Sequence, residues 1–214
     1  GSTGSGKSTI INLIPRFYDV TDGEILIDGI NVKDYSQKEL HNKIGYVPQR
    51  AVLFAGTIKS NIDFGDSGKG EMSEENMANA AEIAQAKNFI DKLPEKFDAR
   101  VAQAGTNFSG GQKQRIAITR AVARNPEIFI FDDSFSALDY KTDRKLRKEL
   151  KSKTADAVTF IVAQRIGTIK DADKIIVLEA GDVVGMGKHE ELLSSCEVYR
   201  EIALSQLSKE ELGQ

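Results

Sequence analysis

Cysteine is almost absent from this chain: Cys196 is the only one in 214 residues. A lone thiol closes no internal disulfide, so no disulfide framework supports the fold, and a reducing compartment is compatible with it. Cys196 itself reads as a helix-face residue rather than a reactive thiol. Long hydrophobic runs are missing too. Stretches such as "FIVA" (160–163) and "KIIVL" (174–178) fall far short of the ~20 apolar residues of a membrane helix, and no stretch reads as a signal peptide. Charge is not one-sided: 29 Lys and Arg face 32 Asp and Glu, a formal net charge of −3. That balance gives no attraction to nucleic acid or to an anionic membrane surface. Histidine is scarce, with only His41 and His189. There is no internal repeat and no low-complexity segment. What remains, 40% hydrophobic and 29% charged, is ordinary for a globular protein of one large or two small domains.

The apolar pattern alternates between helix and strand periods. Residues 8–17 carry Ile10, Ile11, Leu13, Ile14 and Phe17, an apolar helix face that predicts packing on a core, with Pro15 near its end. "GEILIDGINV" (23–32) predicts a β-hairpin turning at Asp28-Gly29. "KIGYVPQ" (43–49) predicts a short strand running into a loop. From 73 to 92 the chain becomes alanine-rich, and its period predicts one helix with Met77, Ala80, Ala81, Ala84 and Ile90 facing inward. A second helix is expected at 110–124, stopped before Pro126. Ile128–Phe131 and "VTFIVAQ" (158–164) predict strands buried on both faces, as in parallel sheets. "DKIIVLEAGDVVGMG" (173–187) predicts two strands turning at 180–182, followed by a polar helical tail. Strands alternating with helices imply an α/β fold with a mainly parallel sheet. The stretch 55–125 is then an inserted helical subdomain, with 1–54 and 126–214 forming the core of a single domain.

Three short motifs carry chemistry. "GSTGSGKS" (1–8) matches G-x-x-x-x-G-K-[ST] in full. Glycines there let backbone N–H groups curl around phosphate oxygens, and the helix that follows points its positive end at them. Gly1, Ser2, Thr3, Gly4, Ser5, Gly6, Lys7, Ser8 and Thr9 are the expected contacts of a nucleoside triphosphate. Lys7 would reach the β- and γ-phosphates, and the Ser8 hydroxyl would sit on Mg²⁺. The strand Ile128–Phe131 delivers Asp132, which suits Mg²⁺ held through water. "NFSGGQKQR" (107–115) opens a further helix with Ser109, Gly110 and Gly111, a second N-terminus able to grip phosphate. A second cradle in one chain makes sense if it serves another molecule's nucleotide. Because Gly1 already begins the first motif, where a natural domain would have a strand before it, the chain is expected to be a fragment of a longer protein.

"GSTGSGKS", the glutamine of "VPQ" (47–49), "FSGGQ" (108–112), "IFIFDD" (128–133) and "SALD" (136–139) occur in the order found in ATP-binding cassette (ABC) domains, which this chain resembles. The resemblance implies a P-loop NTPase (RecA-like) core with an inserted α-helical subdomain. It also implies a head-to-tail pair of cassettes, each ATP lying between one chain's Walker A loop and the other's signature. Carried over, Phe108, Ser109, Gly110, Gly111 and Gln112 would contact the partner's ATP. Gln49 would touch Mg²⁺ beside Ser8 and Asp132 and sense the transmembrane domains, and Asp139 would cross the dimer interface. "VPQRAVLFAGTIKSNI" (47–62) resembles the exporter branch, which places the cassette at the cytoplasmic face of a membrane.

Three positions depart from the family pattern. Where it has a general-base glutamate, this chain has Asp133; where it has a switch histidine after the "IVA" strand, this chain has Gln164; where exporters often have a glutamate before the signature, Gln103 stands. Asp133 is shorter by one methylene, and a retreat of about 1 Å in a positioned group can cost on the order of 10²-fold in rate. Gln164 can donate a hydrogen bond to phosphate but cannot carry charge as an imidazolium does. The expected catalytic set is therefore Asp133, Gln164 and Gln49, with hydrolysis slow at the chain's own site and an intact signature completing a partner's site. That combination resembles one half of a heterodimeric bacterial exporter. A regulatory module with little turnover and an active homodimeric ATPase are the alternatives. A soluble cassette acting on DNA or ribosomes is disfavoured, since the basic run 141–153 reads as a solvated helix face.

Overall fold

The computed structural model describes residues 1, 4–65, 70 and 72–206. The first loop enters α1 (Lys7–Leu13) through Gly6, whose φ of 93° a side chain would resist. The hairpin β1 (Leu26–Ile27) and β2 (Ile30–Asn31) pairs Ile27 with Ile30. That leaves a two-residue turn in which Asp28 and Gly29 both have positive φ. Ser36 and Glu39 form a capping box that starts α2 (Gln37–Lys43), and the chain passes straight into β3 (Ile44–Val47).

The middle of the chain is mostly helical. Strands β4 (Gly56–Thr57) and β5 (Arg100–Val101) pair antiparallel, and between them lie α3 (Ile58–Ile62), α4 (Glu74–Ile83) and α5 (Lys87–Ile90). The single helix expected over 73–92 is thus two. Gln85 turns left-handed at φ 56°, its N–H reaches Glu82 O, and the Ala86 N–H reaches Ala81 O. This pair of bonds closes a Schellman end that stops α4 after three turns. The expected inward residues hold: Met77, Ala80, Ala81, Ala84 and Ile90 are all buried. Around Met77, Ala81 and Ile90 gather Leu53, Ile58, Ile62, Val101 and Ile116, the last from α6 (Gly110–Ala123).

The remaining elements are β6 (Ile128–Asp132), α7 (Tyr140–Lys153), β7 (Val158–Val162), α8 (Ile166–Ile169), β8 (Ile175–Glu179), β9 (Asp182–Gly187), α9 (His189–Ser195) and α10 (Glu197–Gln206). Strands β3, β6 and β7 form a parallel sheet with β6 in the middle. Every residue of β6 is buried. Its alternation sends Phe129 and Phe131 to one face, against Ala117, Ile118, Leu146 and Leu150. Ile128 and Ile130 go to the other, against Ile11, Leu40 and Ile44. Burial of side chains such as Phe131 and Leu146 contributes on the order of 2 kcal/mol each.

Two expectations need correction here. β7 is not buried on both faces: Val158, Thr159 and Phe160 are exposed, because β7 pairs only with β6 among the described residues. The apolar face expected over 8–17 is not packed along its length either, and the helix itself stops at Leu13. Ile11 is buried, but Ile10 and Phe17 are exposed. Parallel pairing brings the C-terminal ends of β3, β6 and β7 to one edge of the sheet, where Asp132 ends β6 and Gln49, Asp133 and Gln164 lie just beyond the strands.

Candidate functional site

At this edge the first loop folds over the sheet. Gly4 and Gly6 have φ of 81° and 93°, so the loop takes a path that favours glycine. Ser5 is buried, and the Lys7 ammonium donates to Gly1 O at 2.9 Å and Ser5 Oγ at 3.1 Å. Desolvation lowers the pKa of Lys7, against the opposing pull of the Asp133 and Asp132 carboxylates. Thr9 is exposed on α1, while Ser2 and Thr3 lie outside the described residues.

The Ser8 hydroxyl donates to Asp132 Oδ1 at 2.8 Å. Tyr46 flanks the pair: its hydroxyl is 3.0 Å from Asn12 Oδ1 and 3.4 Å from Asp132 Oδ2. Desolvation, and then the Asp132 charge, push the Tyr46 phenol up to about 12, so it stays protonated and donates. Tyr46 and Asn12 were not singled out in the sequence. The available signal was a tyrosine interrupting the apolar strand Ile44–Val47.

Asp133 follows in the left-handed region at φ 45°, a conformation aspartate tolerates better than most residues. Its backbone N–H is held by Val162 O at 2.9 Å. Two amides converge on one carboxylate oxygen: Gln49 Nε2 is 3.1 Å and Gln164 Nε2 is 3.4 Å from Asp133 Oδ2. Desolvation raises the Asp133 pKa, the Gln49 hydrogen bond pulls it down, and the Asp132 charge raises it again. The structure therefore assembles Lys7, Ser8, Gln49, Asp132, Asp133 and Gln164 at one place from four separate segments.

A second group forms around the start of α6. The Ser109 hydroxyl accepts from Gln112 N at 3.2 Å, and Gln112 Oε1 accepts from Ser109 N at 2.9 Å, a reciprocal cap. Phe108 is buried beneath it. Gly110 faces open space, whereas a side chain on Gly111 would meet Ala137 O at 3.3 Å. Asp139 caps α7, taking the Thr142 N–H at 3.0 Å, and this bond lowers its pKa, helped by the Arg115 charge.

The first group offers oxygen donors at the Ser8 hydroxyl and the Asp132 carboxylate, a hard set that suits Mg²⁺ with phosphate and water completing the shell. Among the described residues there is no cluster of three or more His, Cys, Asp or Glu for a dedicated protein metal cage, and no helix is long and apolar enough to cross a membrane.

Comparison with known proteins agrees with this arrangement. The ABC transporter family model matches residues 1–136. An uncharacterized ABC transporter ATP-binding protein of Mycobacterium tuberculosis is 48% identical over 206 residues, covering 96% of this chain and 35% of that protein. A putative multidrug export ATP-binding/permease protein of Staphylococcus aureus is 45% identical over 202 residues, covering 94% and 34%. The solved structure of a bacterial Atm1-family ABC exporter with ATP bound superposes with a TM-score of 0.92 at 38% identity, covering 98% of this chain and 36% of that one. This chain thus spans about a third of the length of these relatives, and its fold is that of their P-loop ATP-binding domain. The parallel sheet, the glycine loop closing on Lys7 and the Ser8–Asp132 pair all agree with the match: the chain belongs to the ABC transporter family.

Proposed function

We propose that this chain is the ATP-binding cassette of an exporter, working at the cytoplasmic face of a membrane beneath transmembrane domains, and that its own nucleotide site hydrolyses slowly. Residues 55–125 serve as its helical subdomain, and 1–54 with 126–214 as its catalytic core. The exporter names of its relatives and the ATP-bound state of the superposed structure support the first part. The convergence of Gln49 and Gln164 on Asp133 Oδ2 carries the second.

In this reading Gly1–Thr9 wrap the phosphates of ATP, and Lys7 leaves Gly1 O and Ser5 Oγ to meet them. Ser8, Asp132 and Gln49 would hold Mg²⁺, which when bound neutralises phosphate charge and fixes the phosphates in line for attack. Asp133 accepts the proton of the attacking water. Two features slow it. Its carboxylate is one methylene short of glutamate's reach, and the oxygen Oδ2 already receives two amide protons. A raised pKa makes Asp133 a stronger base but does not lengthen it. Gln164 donates a neutral hydrogen bond where a histidine would bring charge. Ser109, Gly110, Gly111 and Gln112 present the start of α6 to the ATP of a second cassette, with Phe108 anchoring the turn and Asp139 at the boundary between the two. That second cassette is a different subunit with its own full catalytic set, so the complex is a heterodimer with one productive site.

The test is steady-state ATPase of the intact complex, with its native partner, carrying Asp133→Ala. We expect most turnover to survive. Collapse to background would make Asp133 a working base and favour an active, symmetric pair.

A further inference from the structure

The residue that occupies the switch position is held from an unexpected direction. Gln206, the last residue of α10, donates from Nε2 to the carbonyl of Gln164 at 2.9 Å, and its Oε1 accepts the Ile166 N–H at 2.8 Å. One side-chain amide thus bonds the backbone on both sides of Arg165, as a neighbouring strand would. The Ile166 N–H is a first-turn donor of α8, and the Arg165 side chain caps nothing there, so Gln206 supplies the missing acceptor.

Packing reinforces the clamp. Ile166 is buried in a cluster with Tyr199 and Ala203 of α10, so the two segments share apolar contact as well as the amide. Gln206 itself is exposed, and its removal takes little from that cluster. At the other end of the switch, the Gln164 side chain reaches Asp133 only at 3.4 Å, a long bond that cannot by itself fix its direction. The Gln164 backbone must do so, and Gln206 is what bonds its carbonyl.

From this geometry we infer that Gln206 is a positioning residue: through its amide, α10 sets where Gln164 points at the phosphate end of the nucleotide site. A shift of α10 is then transmitted to the switch residue without passing through the sheet. The inference rests on the reading of Gln164 as a nucleotide-site residue.

The experiment uses the full transporter complex with the partner cassette's catalytic carboxylate neutralised, so that phosphate release reports this chain's site alone. Gln206→Leu removes both bonds at similar volume, and it is measured with Gln164 intact and in a Gln164→Ala background. The expected result is a fall in kcat of about 10-fold with KM for ATP held within about twofold, because the phosphate loop is untouched. In the Gln164→Ala background the same substitution should cost nothing further, since both changes disable one element. A thermal midpoint equal to the parent's would show that the fold is intact. If Gln164→Ala lowers kcat but Gln206→Leu does not, the clamp is overturned and the site reading stands. An equal loss in both backgrounds would also overturn it, as general damage. If Gln164→Ala itself changes nothing, Gln164 is no switch residue, and both the clamp and that part of the site reading fall together.

Discussion

Ser8 and Asp132 lie 124 positions apart in the sequence and meet at 2.8 Å, hydroxyl to carboxylate, where the first turn of α1 faces the end of β6. Ser8 sits in the first turn of a helix, and Asp132 ends a buried strand. Their meeting makes sense as a hard-cation site, and it separates metal-dependent from metal-independent binding. Ser8→Ala should weaken binding of Mg-ATP about 10-fold or more in the assembled complex, as expected for a lost contact to a charged group. Binding of ATP in EDTA should barely change. Titration of a fluorescent ATP analogue with and without Mg²⁺ checks this, and equal losses in the two conditions would count against a metal role for Ser8.

If Asp133 and Gln164 slow the chain's own site as proposed, placing the family-pattern residues there should speed hydrolysis. Asp133→Glu combined with Gln164→His lengthens the base and returns a titratable group to the switch position. With the partner's carboxylate neutralised, we expect phosphate release by the double variant to rise on the order of 10-fold or more over the parent. The gain has a structural cost. Position 133 is left-handed at φ 45°, and glutamate tolerates that region less well than aspartate, by about 1 kcal/mol. Faster hydrolysis with a slightly lower thermal midpoint is the expected pairing. An unchanged rate would mean that something other than these two residues limits the site.

The residues that meet at the sheet edge, and the turn that opens α6, stand out in the sequence because most lie in a short local pattern: a glycine-rich loop before a helix, an acid ending an apolar strand, a serine and two glycines opening a helix. The hairpin at Asp28-Gly29 and the alternation through Phe129–Phe131 were legible for the same reason. What was missed depends on distant partners or on a local turn that interrupts a regular period. The exposure of β7 follows from which strands flank it, and a periodic reading cannot supply that. The end of α4 at Gln85 overrode a continuous helical period, because a left-handed residue and two capping bonds satisfied the last carbonyls locally. Gln206 is an unremarkable polar residue near a polar tail until the fold brings it to Gln164, 42 positions away.

The Asp133 carboxyl offers a test through pH. Its folded pKa is raised above the ordinary 3.8, chiefly by desolvation, so folding favours the protonated form. At pH values above the raised pKa the charged carboxylate therefore costs stability. As pH falls through that pKa the cost is relieved, and below 3.8 it is gone. Asp133→Asn resembles the protonated side chain and keeps an oxygen for Gln49. It should melt slightly higher than the parent at pH 7, with the two curves converging as pH drops towards 3.8. Exposure to solvent keeps the difference small. A variant that melts lower at pH 7 would show that the Gln49 and Gln164 bonds to the charged form outweigh desolvation.

Gly110 and Gly111 separate a role in folding from a role towards a partner. Both stand in the first turn of α6, where alanine is the better helix former. A side chain on Gly110 meets nothing within 4 Å, whereas one on Gly111 comes within 3.3 Å of Ala137 O and 3.8 Å of Leu138 Cδ2. Gly110→Ala should thus leave the thermal midpoint of the chain unchanged or raise it, and Gly111→Ala should lower it. No described residue fills the space beside Gly110. If it is where a second cassette's ATP comes to lie, a methyl group there intrudes on phosphate, and ATPase of the intact complex should fall sharply in a chain that folds at least as well as the parent. Turnover that survives Gly110→Ala unchanged would mean that no nucleotide closes against this turn, and the head-to-tail pairing proposed for the chain would lose its basis.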